Sequence, residues 1–155
     1  MKLANTKWMR SLLTKKCSIL ILMISIISLG CGKDEVKPSE DSVLAQNALR
    51  SIEQIKEAYE TKNLDSVVDL TDSALLSSFE KELNFDKAAL SFSTPRIIKI
   101  SSANVKITVN WQGTWELGGE MRKNRGSSSF VFLKDSMQLV QIDGDNPFSI
   151  PQNRN

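Results

Sequence analysis

Few side chains in this sequence can carry chemistry. There is no histidine, which removes Ser-His-Asp and Cys-His nucleophile arrangements. It also removes histidine-containing zinc sites, and the two cysteines, Cys17 and Cys31, cannot complete a tetrahedral site unaided. A general base working at neutral pH would have to be a carboxylate with a strongly shifted pKa. Tyr59 is the only tyrosine, and Asp69 and Asp72 lie close to it in sequence. In the simplest reading Tyr59 closes an apolar helical stripe with its hydroxyl at the rim, and the two aspartates are exposed or capping residues. Trp111 and Trp115 share one strand face, as core residues or as a stacking wall for a ligand. Arg122, Lys123 and Arg125 cluster in MRKNRG, read as a hairpin tip. Such a tip is either a solvated turn or a contact for anionic lipid headgroups or phosphates, each cation adding about 1 kcal/mol. Asp143-Gly144-Asp145-Asn146 lacks the twelve-residue frame and closing glutamate of a calcium loop, and reads as a turn that Pro147 ends. No phosphate-cradling glycine loop or nucleic-acid stacking motif is present. The expectation is therefore no metal, no cofactor and no nucleic acid.

Cys31 has a more definite context. Residues 1–16 hold five basic and no acidic residues, and Cys17–Leu29 is a charge-free run of thirteen. That is the layout of a secretory signal peptide, and the run falls short of the about 20 apolar residues that cross a bilayer. Ile27-Ser28-Leu29-Gly30-Cys31-Gly32 resembles the lipobox of bacterial lipoproteins, with Ser28 and Leu29 transposed from the usual order. The resemblance implies a diacylglycerol on the Cys31 thiol, cleavage after Gly30, and acylation of the new amino group. Two or three acyl chains hold a protein stably on a membrane where one does not. By resemblance to enterobacterial sorting rules, Gly32 after the cysteine favours the outer membrane over the inner. No cysteine then remains for a disulfide, so the exported domain must rely on its hydrophobic core. Residues 33–42 are polar, include a proline, and read as a flexible tether with a reach on the order of 35 Å.

The positioning elements follow from periodicity. Leu44, Ala48, Ile52, Ile55 and Tyr59 form one helical stripe, and the helix is expected to stop near Lys62-Asn63. Leu64, Val67 and Val68 predict a short second helix. A third starts after Ser73 as N-cap, with Leu76, Phe79 and Leu83 on one side. From Val105 to Leu117 the apolar residues and Gly113 take odd positions and polar residues take the even ones, which predicts a long strand with one buried face. Gly118-Gly119 signals a hairpin. Further strands are expected at residues 97–101, 128–133 and 138–142, with Lys134-Asp135-Ser136 as a turn. Three helices followed by an antiparallel sheet give an α+β class.

Residues 58–74 (AYETKNLDSVVDLTDSA) resemble the helix-turn-helix opening of NTF2-like (SnoaL-like) domains. Residues 130–148 (FVFLKDSMQLVQIDGDNPF) resemble their last hairpin. The resemblance covers residues 43–148 and implies a small cystatin-like cone, in which a curved sheet wraps the long helix and sometimes encloses a pocket. The expected division is a signal peptide at 1–30, a lipidated cysteine and tether at 31–42, the α+β domain at 43–148 and a tail at 149–155. Two functions stay open. One is a non-catalytic, lipid-anchored envelope protein facing the periplasm, binding an envelope protein partner or a small apolar ligand. The other is a periplasmic enzyme of ketosteroid-isomerase or dehydratase type. For that one the resemblance implies Tyr59 with Asp69 or Asp72 in the cone.

The formal charge of +2 belongs to the leader. Without residues 1–30 the chain keeps 15 basic and 18 acidic residues, a net of −3. Residues 40–90 carry −6 and residues 91–155 carry +3.

Overall fold

A computed structural model describes residues 37–152. The leader, Cys31 and residues 33–36 of the expected tether lie outside the described residues. Helix α1 spans Glu40–Glu60, beginning inside the segment expected to be tether. Ser39 caps it, its side chain accepting from the Ser42 backbone N–H, and Glu40 and Asp41 place negative charge in the first turn. The predicted stripe is the buried face: Ala48, Ile52, Ile55 and Tyr59 are buried, joined by Ser51 and Ala58. The chain turns away after the Thr61 cap: Lys62 takes a positive φ of 58° and the Asn63 N–H bonds back to the Ala58 carbonyl.

The second expected helix is a 3-10 turn, Leu64–Val67, so the described residues hold two α-helices rather than three. Three residues per turn put Leu64 and Val67 on one buried side and leave Val68 exposed. Helix α2 spans Ser73–Lys81. Its cap is Asp72 rather than Ser73: the Asp72 carboxylate accepts from the Ala74 N–H at 2.9 Å.

Five antiparallel strands follow: β1 Lys87–Phe92, β2 Ile97–Ile100, β3 Asn104–Leu117, β4 Glu120–Leu133 and β5 Leu139–Gly144. The sheet order is β1-β3-β4-β5, and β2 pairs with the other end of β3. Thus β1 faces residues 111–116 and β2 faces residues 105–108, two pieces of one edge interrupted at Ser93–Arg96. Pro95 sits in that break, where its missing N–H costs no ladder bond. β3 and β4 form a long hairpin closed by Gly118 and Gly119 at φ 57° and 85°, the positive values a two-residue turn requires. β5 is joined to the loop before α2, where the Leu139 N–H donates to Leu70 O and the Asp72 N–H donates to Leu139 O, both at 2.8 Å.

The core lies between α1, α2 and the inner sheet face. Odd-numbered Val105, Ile107, Val109, Trp111 and Trp115 supply β3's share, and Phe130, Phe132 and Leu139 supply that of β4 and β5. The packing runs past residue 148: Phe148 is fully buried, and Ile150 packs against the core with its N–H bonded to the Glu82 carboxylate at 2.9 Å.

Candidate functional site

The interior of the cone is where the sequence placed its catalytic and ligand-stacking candidates. Tyr59 is completely buried on α1, its ring centroid 5.1 Å from Phe85 and 5.3 Å from Phe148. Its hydroxyl lies in the core rather than at the rim. It accepts from Trp115 Nε1 at 3.1 Å and donates to the Glu82 backbone carbonyl at 3.3 Å. Burial pushes this hydroxyl up to about 12; the Glu82 charge adds to the rise and the Trp115 hydrogen bond opposes it. A phenol so held stays a neutral hydrogen-bonding group throughout the physiological range. Asp69 is exposed in the turn after the 3-10 helix, and Asp72 is spent on capping α2. Neither bonds to Tyr59.

Trp111 and Trp115 lie edge to face, 6.4 Å apart. Trp115 is fully buried against Tyr59, while the Trp111 indole N–H donates to the Asp145 carbonyl at 3.0 Å. Gly113, two residues before Trp115 on the same face, makes room for this. A Cβ there would stand 2.3 Å from Trp115 Cη2 and 2.7 Å from a Leu90 methyl. The glycine in the odd series was the visible trace of that close approach.

Phe148, which sequence reasoning left at the domain boundary, holds the middle of the cone. It contacts Phe79 of α2, Tyr59 of α1, Phe92 of β1 and Phe130 of β4, at centroid distances from 4.7 to 6.4 Å. A single phenylalanine flanked by Pro147 carries little periodic signal, so only the fold exposes its place. The segment bearing it is fixed on one side by Asp145, whose carbonyl accepts from Trp111 and Ser128. On the other side Glu82 and Arg122 hold Ile150 and Pro151.

The basic cluster is strand, not hairpin tip. Antiparallel pairing sets Arg122 opposite Trp115, Lys123 opposite Thr114 and Arg125 opposite Gln112. Alternation therefore splits the trio. Arg122 turns to the inner face and donates to the Pro151 carbonyl at 3.3 Å. Lys123 and Arg125 turn to the outer face, where they wall a groove of about 750 Å³ lined by Ala89, Ser91, Gln112 and Thr114. A smaller space of about 210 Å³ adjoins it and shares Ser91, Gln112 and Arg125. No carboxylate lines either space.

Among solved structures, the chain is similar to a nuclear transport factor 2 (NTF2-like) superfamily protein from Salmonella enterica serovar Typhimurium. The TM-score is 0.58 at 13% identity, covering 74% of this chain and 98% of that one. The fold is NTF2-like. The NTF2-like domain is also similar to the association domain of C. elegans CaMKII, with a TM-score of 0.51 and 13% identity over 66% of this chain and 94% of that one. No family model and no curated protein matches the sequence. Among the described residues no group of three or more acidic or sulfur side chains is placed to hold a metal ion, and no helix is long and apolar enough to cross a membrane.

Proposed function

We propose that this protein is a lipid-anchored envelope protein whose NTF2-like domain binds rather than catalyses, using the outer sheet face. The observation that carries the reading is the filled cone. Tyr59, Phe79, Trp115, Phe130 and Phe148 are fully buried against one another, and the one phenol inside has both hydrogen-bonding partners supplied by the protein. A site of ketosteroid-isomerase type needs a tyrosine and a carboxylic acid facing a space that admits substrate. Here Phe148 stands in that space. The same packing argues against a small apolar ligand in the cone, and moves the binding function to the polar groove outside.

Anchoring rests on the sequence. The basic leader, the charge-free run and Gly30-Cys31 support acylation of Cys31, which would hold the domain at the outer membrane on the periplasmic side. Cys31→Ser should incorporate no radiolabelled palmitate and should move from the membrane to the soluble envelope fraction. Continued membrane attachment of that variant would contradict the anchor.

A further inference from the structure

The outer groove has a composition that selects its ligand. Ser91, Gln112, Thr114, Lys123 and Arg125 converge on it from three strands, β1, β3 and β4. Every one of these side chains carries a donor, and two are cations. Among the described residues none of the five side chains has a hydrogen-bond or ion-pair partner, whereas two pairs on the same sheet face are cross-linked. Lys106 pairs with Asp143 at 2.7 Å across β4, and Thr108 bonds Ser129 at 2.7 Å. The two cross-links lie toward the β2 end, where exposed Lys99 also has no partner among the described residues, and the five groove side chains at the β1 end are open to solvent or ligand. Ala89, a small residue between the polar ones, keeps the groove open, and no carboxylate answers the two cations within it.

From this we infer that the groove between β1, β3 and β4 binds a small soluble molecule carrying two oxyanions, of the phosphate type. Lys123 and Arg125 are two positions apart on one strand face, so their stems stand about 7 Å apart. That spacing suits two separate anionic groups rather than one. The Arg125 guanidinium takes one oxyanion through paired N–H donors, and Lys123 acts on the other as a point charge. Gln112 and Thr114 donate to the stretch between them. A volume of about 750 Å³ is in the range of small-molecule sites. The groove is open to solvent, and the vesicle arm of the test separates a soluble oxyanion from a bilayer headgroup. The inference rests on the reading that the domain binds through its outer face.

The test uses the full acylated protein in neutral detergent, with inorganic tripolyphosphate as probe, by titration calorimetry. Binding should saturate below about 1 mM. Lys123→Ala and Arg125→Ala should each weaken it about tenfold. Lys99→Ala, on the same sheet face at the β2 end, should change it less than about twofold. All three positions are exposed, so thermal unfolding of the variants should match the parent. An absence of binding up to about 10 mM overturns the proposal, as does binding that Lys99→Ala weakens as much as Arg125→Ala. Flotation with anionic phosphatidylglycerol vesicles that needs Lys123 and Arg125, without tripolyphosphate binding, overturns it in favour of a lipid surface. Concentration-dependent dimerisation abolished by the same two variants, again without tripolyphosphate binding, overturns it in favour of a second copy. Phosphorus NMR separates the two readings. Hydrolysis of the probe that depends on Lys123 and Arg125 would keep the site and overturn the non-catalytic function.

Discussion

Tyr59 shows how burial decides what a side chain can do. Its place at the end of an apolar stripe favours a structural role over proton transfer, with the hydroxyl expected at the rim rather than in the core. Its burial depends on Phe148 and Trp115, which lie 89 and 56 positions away in the chain and meet it only in the fold. The hydroxyl is held protonated to about pH 12, against about 10 when exposed. Between those values the folded protein retains a proton that the unfolded chain has lost, so stability should fall as pH rises through that window. Tyr59→Phe should remove that slope in denaturant titrations run at successive pH values. It should also cost about 1–3 kcal/mol at pH 7, because the Trp115 N–H is left buried without an acceptor. An unchanged alkaline slope in the variant would mean another group is responsible.

Elements were legible where a buried face imposed its own period. α1 and β3 each have one face against the core over many residues, and their stripes match the observed burial except at the ends, where Leu44 and Leu117 are only partly buried. β1 was missed because Lys87–Phe92 is short and uses two alanines, which give little strand signal. The first half of β4 was read as a turn for a different reason. Glu120, Arg122 and Asn124 face inward beyond the apolar core, so no hydrophobic alternation marks them, and pairing with β3 alone keeps them extended. The groove was illegible for the same reason: its cations looked adjacent until the strand separated Arg122 from Lys123 and Arg125. β3 also depends on one absent side chain. Gly113→Ala should lower stability by about 1–3 kcal/mol in chemical denaturation, because the new methyl meets the Trp115 ring and forces it off its packing on Tyr59. A neutral result would show that Trp115 has room to repack.

At the scale of the whole molecule, the charge asymmetry read from the sequence acquires a place. The helical part is acidic, and the positive charge of the rest includes the two groove cations on the outer sheet face. Phe148 of the C-terminal segment packs among Tyr59, Phe79 and Phe130 in the interior, and the proposed function accordingly assigns binding to the outer sheet face. Backbone-amide shifts during a tripolyphosphate titration distinguish a ligand on the outer sheet face from one in the interior. Shifts should be confined to residues 89–91, 112–114 and 123–125, with the amides of Tyr59, Phe79 and Phe148 unmoved. Shifts centred on Tyr59, Phe79 and Phe148 would contradict the outer-face assignment, because they would place the ligand inside the cone.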